Sequence, residues 1–441
     1  MSQDVRQAAA AVGAEGALER VSAGRRLTGE VTVPGEVLAA EEAILLAAIT
    51  PHEGRVRNVP PGVDRLTEAL GLLGVQAARV GREVRVRGVR PSGWRVLGEP
   101  VDLRALGEVG LTLLGVLAGQ PSAVPVLPPP ASDRRDALLA GLRAMGARIE
   151  TSGAGHCVVG GGDGLVGVVH PLADPDPGVA LALLVAGLGA RGITALRETL
   201  GGRRRVDLLL QERGIRVERR RPPEGEGVLL CLEGGQGVRA VEAEIPGDLR
   251  LAYPLLVPPL VRKGSQVVVR RVQLRAAERG FLDLLRQIGG KLETTDLGHD
   301  LVDLTVSSSS LKPTRVAGQR AERIAAQAPL LAVLATQIPG EFVIRDVPGW
   351  QQDGVGPPDS LFALLKLMGA RVGEYPEGLV IKGGQPLQGT RVESRGDPDL
   401  AMALGAAGLL AHGEMVIAGA DCVGATFPDY FAVLRKLKEK R

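Results

Sequence analysis

Val33-Pro34-Gly35-Glu36, running into Ala43-Ile44-Leu45-Leu46-Ala47-Ala48-Ile49, decides how this chain folds. Glu30 to Val33 read as a short strand, Pro34-Gly35 break it, and the apolar segment reads as a buried helix. Thr50 to Gly54 stop that helix, and Arg55-Val56 begin the next strand. The same grammar returns down the chain. Further apolar helices are expected at Leu111–Ala118, Val179–Leu188, Leu251–Val261, Pro329–Ile338 and Leu400–Ala411. None has a polar stripe, so each should be buried on most sides. The fourth carries Pro254, Pro258 and Pro259, which are expected to shorten or kink it.

A second, amphipathic helix follows each strand and ends at a recurring glycine. The copies are Leu73-Gly74-Val75, Met145-Gly146-Ala147, Arg213-Gly214-Ile215, Ile288-Gly289-Gly290 and Met368-Gly369-Ala370. Glycine there predicts a left-handed helix end. Alternating strands come next, such as Arg82 to Arg87 and Gly378 to Ile381. The period of roughly 70–80 residues is that of a duplicated subdomain rather than a common solenoid. The fold class is therefore α/β, with six repeated βαβαββ units, three per domain. Three helices per domain would fill the middle, with sheets outside.

The chain has 441 residues, too many for one core. Breaks at Pro34-Gly35 and Pro246-Gly247 place residues 1–34 with 245–441 in one domain and 35–244 in the other. Residues 1–22 are expected to form a loose extension. Net charge is +3 and aromatics are 2%, which excludes a nucleic-acid reader of the usual basic or base-stacking kind. No apolar run reaches the roughly 20 residues of a membrane span. The cysteines (Cys157, Cys231, Cys422) and five histidines are scattered, so neither a disulfide framework nor a metal site is expected. Together these imply a cytoplasmic protein without a cofactor. The arginine runs at 203–205 and 219–221 read as solvated loop or hairpin, with an anion or partner site as the alternative. The glycine-rich 160–164 lacks the Gly-Lys-Ser/Thr end of a phosphate loop and reads as a hairpin turn.

In plan and motifs the chain resembles the enolpyruvyl transferases, and among them the 5-enolpyruvylshikimate-3-phosphate synthases of the shikimate pathway. The scaffold carrying the resemblance runs in order from Val33-Pro34-Gly35 with Ala43–Ala48, through Gly107…Gly110 and Ala186-Gly187-Leu188, to Glu198 with Arg203. It continues with Ile245-Pro246-Gly247-Asp248, Gly280-Phe281-Leu282, Pro329 with Leu331-Ala332-Val333, Asp397 with Ala401-Met402-Ala403, and Phe427-Pro428. The cousin acting on UDP-N-acetylglucosamine fits less well. The resemblance implies an inside-out α/β barrel in each domain and transfer of enolpyruvyl from phosphoenolpyruvate to shikimate 3-phosphate. Such doubly anionic ligands need arginines and lysines, and carboxylates must move the protons.

Those ligand positions are changed. The family's Asp-Lys-Ser after Pro-Gly is Glu36-Val37-Leu38 here, and its next arginine is Glu42. Its Asn-Ser-Gly-Thr turn is Glu108 to Leu111, and its Ser-Ser-Gln cluster with following Lys is Pro175-Asp176-Pro177 with Val179. Glu278 and Asp399 stand where cations are usual. Ala326-Gln327 occupy the catalytic Asp-Glu position. The matching survivors, as candidate substrate ligands, are Arg203, Asp248, Arg250 and Asp397. As plain structure, Asp248 and Asp397 are helix N-caps and Arg203 a surface residue. The expectation is a catalytically degenerate relative with a binding or regulatory role and a possible protein partner. The alternative is an active, divergent transferase whose small anionic substrate is held by a rebuilt cleft, with Arg203, Arg204, Arg205, Arg250 and Arg275 as the available cations.

Overall fold

The computed structural model describes residues 17–438, except 91–92, 97–98, 152–156, 161, 174, 199–205, 225, 276–277, 349–356 and 376–377. The chain divides into two compact units. One is Glu36–Ile245, and the other joins the residues up to Gly35 to those from Pro246 onward.

Six buried helices organise the molecule. In the first unit they are α1 (Val37–Ala48), α2 (Gly107–Ala118) and α3 (Pro177–Leu188). In the second they are α4 (Leu249–Val261), α5 (Ala328–Gln337) and α6 (Pro398–Gly408). Their lack of a polar stripe is why they lie at the middle: α3 buries every residue after Pro177. Small residues let them approach closely. A Cβ on Gly115 of α2 would fall 2.4 Å from the Ala182 carbonyl oxygen of α3. The three prolines do not shorten α4, which runs 13 residues with all three inside it. Only Arg250 and Val261 of its residues escape burial, and that burial offsets the roughly 3 kcal/mol each interior proline costs. All five signature glycines, from Gly74 to Gly369, have positive φ, between 77° and 104°.

Six separate sheets surround the helices, three in each unit, with no closed barrel among the described residues. Five share one order: the strand before a buried helix, the strand after it, then the later and the earlier strand of a hairpin. The first pair is parallel and the others antiparallel. Thus Glu242–Glu244, Glu53–Arg57, Glu83–Arg87 and Gln76–Val80 lie side by side. This sheet also shows an exchange. Thr28–Val31 precedes α1 in sequence, yet pairs in parallel with Gln266–Gln273, the strand after α4. Glu242–Glu244, which precedes α4, supplies the missing partner to the strand after α1.

The sixth sheet has three strands: Glu414–Ala418 pairs in parallel with Arg391–Glu393, and among the described residues no hairpin covers its other edge. Glu19–Ser22 does so instead, antiparallel, with Val21 fully buried against Gly408. The extension expected to be loose through residue 22 is therefore a paired strand from Glu19. The pairing is reinforced by Arg20–Glu414 at 2.6 Å and Arg435–Glu19 at 2.8 Å. A second correction concerns residues 160–164. Cys157–Gly160 already lies between Ala123–Leu127 and Ile149–Thr151, so the loop after it has no hairpin to close and leads to the next sheet. Gly161 lies outside the described residues.

Candidate functional site

In the unit containing Pro246 onward, the expected site residues gather at helix starts. Asp248 is the N-cap of α4, its carboxylate accepting from the Arg250 backbone N–H at 2.8 Å. Asp397 caps α6 in the same way, accepting from the N–H groups of Asp399 at 2.9 Å and Leu400 at 3.1 Å. The two helix starts meet through the Arg250 guanidinium, which donates to the Asp399 carboxylate at 3.0 Å. Burial holds the Asp399 carboxyl above its usual range; the Arg250 charge opposes this and Asp397 adds to it. Ala326 and Gln327 sit in a short 3-10 turn just before α5, with Ala326 exposed. Neither side chain can serve as a carboxylate acid or base. Arg275 is bound to Glu278 at 3.0 Å. Arg203 lies outside the described residues, as do Arg204 and Arg205. Arg219 is held at 3.0 Å by the buried Asp207 and at 3.1 Å by Glu198.

The Glu36–Ile245 unit gathers a second set. Glu108 in the first turn of α2 and Asp176, the N-cap of α3, are bridged by one guanidinium, Arg134, at 3.2 and 2.7 Å. Burial pulls the Arg134 pKa down, but Glu108 and Asp176 more than reverse it. A cavity of about 530 Å³ opens beside α1 and α2, lined by Val37, Leu38, Glu41, Asp64, Arg65, Leu106 and Glu108 among others. Glu42 is 2% exposed and its charge acts on the Arg213 guanidinium. Glu41 is 8% exposed, and burial together with its neighbour Glu42 pushes its carboxyl up to about 7. Sequence reasoning fixed on Glu42 and passed over Glu41. The available signal was two carboxylates in the middle of an otherwise apolar helix.

Two-unit architecture, an exchanged first strand and three buried helices per unit define an enolpyruvyl transferase-type fold. Solved EPSP synthase structures from Acinetobacter baumannii match it with TM-scores of 0.76 and 0.77 at 22% identity, covering 96% of this chain and 98% of theirs. The enolpyruvyl transferase NikO from Streptomyces tendae matches at 0.63 and 19% identity, over 95% of this chain and 97% of that one. By sequence, the profile of EPSP synthase (3-phosphoshikimate 1-carboxyvinyltransferase) covers residues 21–434, and the chain belongs to that family. Its relatives include the 3-phosphoshikimate 1-carboxyvinyltransferases of Gloeobacter violaceus, 33% identical over 95% of this chain and 99% of that protein, and Shouchella clausii, 31% identical over 93% and 97%.

Proposed function

We propose that this EPSP synthase-family chain is a catalytically degenerate member with a binding or regulatory role, acting in the cytoplasm on a different ligand or a protein partner. One observation carries the reading: Asp399 and Glu278, at positions where the family motif has cations, each pair with an arginine, Arg250 and Arg275, at 3.0 Å. An incoming phosphate would have to displace a carboxylate tethered in the same chain. It would then sit within a few ångströms of that displaced charge, at a cost on the order of 1 kcal/mol or more per reversal. In this reading Asp248 and Asp397 serve as helix caps, and Ala326 and Gln327 move no proton.

The second reading is an active 3-phosphoshikimate 1-carboxyvinyltransferase, passing enolpyruvyl from phosphoenolpyruvate to shikimate 3-phosphate or a related hydroxyl, with Arg203 and Arg250 holding substrate. What favours it is the match to relatives of that name over nearly their whole length. A coupled assay of phosphate release from both substrates separates the two. The first reading expects no turnover above background and no thermal shift with millimolar shikimate 3-phosphate, alone or with phosphoenolpyruvate. Turnover at an ordinary enzymatic rate sinks it.

A further inference from the structure

We infer that the cavity at the start of α1 binds a small organic cation, an ammonium group on a compact apolar body, with the Glu41 carboxylate as its anchor. The inference names the ligand class for one unit of the protein and rests on the degenerate reading above. Three carboxylates and one guanidinium line the cavity. Asp64 is taken by Arg79 at 3.1 Å, and Glu108 by Arg134. Arg65 donates to the Ala105 carbonyl at 3.4 Å. Glu41 alone of these carboxyls has no hydrogen-bond or ion-pair partner among the described residues, although it is more than nine-tenths buried. Burying a carboxylate without a partner is costly, and burial together with the Glu42 charge pushes the Glu41 carboxyl up to about 7. A ligand that donates a hydrogen bond and brings a positive charge removes both penalties. Charge-assisted bonds are roughly twice as strong as neutral ones, which favours an ammonium over a hydroxyl.

The remaining wall is apolar. Val37, Leu38 and Leu106 line it, and Val37 is exposed. A volume of about 530 Å³ suits a compact small molecule. The first backbone N–H groups of α1 favour an anion there. Against that, Asp64 and Glu108 already hold their own arginines, so the Glu41 carboxylate, with Glu42 next to it in sequence, is what turns the cavity toward a cation.

The probe is benzylamine, titrated calorimetrically into the full chain at pH 8 and pH 6, with shikimate 3-phosphate and inorganic phosphate in parallel. Saturation is expected at pH 8 at about millimolar benzylamine. Affinity should be roughly tenfold weaker at pH 6, because binding selects ionised Glu41. Glu41→Gln, which keeps the side-chain shape, should weaken binding about tenfold or more and abolish the pH dependence. Cooperative unfolding of the variant confirms that it is folded. No saturation by the native chain, or equal binding by the variant, overturns the inference. If both benzylamine and the two anions fail, the ligand class is wrong and the degenerate reading stands. If shikimate 3-phosphate binds and turns over, both fall.

Discussion

Two buried ionisable groups give the protein opposite responses to pH. Glu41 titrates near 4.5 when unfolded and near 7 when folded. Below 4.5 both states hold the proton. Between 4.5 and 7 the unfolded chain ionises while the folded one does not, so stability falls as pH rises, by roughly 3 kcal/mol in all. Glu41→Gln should therefore be more stable than the native chain at pH 8 and equal to it at pH 4, read by urea unfolding at each pH. His170 works the other way. It is 2% exposed, both ring nitrogens lack partners among the described residues, and burial lowers its pKa. Below about 6.5 the unfolded chain takes a proton that the folded one resists, so stability falls with acid. His170→Phe should flatten the acid limb of the stability curve, and an unchanged limb would assign it to other groups.

At the scale of elements, three of the six buried helices, α3, α4 and α6, start at an aspartate whose side chain caps them. Asp397→Ala removes two acceptor bonds at the start of α6 and should cost about 1 kcal/mol, a loss of a few degrees in Tm by calorimetry. These elements show why much of the fold was legible in the sequence. All-round apolar runs such as Ala43–Ile49 and the glycine after Met145 are local signals, and each specifies a helix or its end without reference to distant residues. Glu19–Ser22 was not legible, since Glu-Arg-Val-Ser offers one apolar residue and its partner lies nearly 400 residues away. The α4 prolines misled because propensity is local, whereas the burial that overrides it is not. Of the candidate site, substituted positions could be read but their consequences could not. Arg250 and Asp399 are 149 residues apart, so nothing local announces that they neutralise each other. Whether Glu41 has a partner is likewise a property of the packed fold.

The whole molecule is divided unequally by its chain crossings. Glu36–Ile245 contains every strand of its three sheets, so that fragment should fold alone, with a cooperative thermal transition. Residues 246–441 lack both Glu19–Ser22 and Thr28–Val31, leaving edges of Gln266–Gln273 and Glu414–Ala418 bare. That fragment should unfold without cooperativity, and a peptide of residues 17–35 added in trans should restore the transition. A cooperative transition without the peptide would show that the borrowed strands are dispensable. The borrowing also has a temporal side. On a ribosome moving at about 5–20 residues per second, Glu19–Ser22 and Thr28–Val31 wait on the order of tens of seconds for partners that lie far later in the chain. During that wait they are unpaired β segments in a crowded cell, the kind of edge that recruits the wrong neighbour. Their shortness, four residues in each strand, and their charges, Glu19, Arg20 and Glu30, are what keep so long an interval safe.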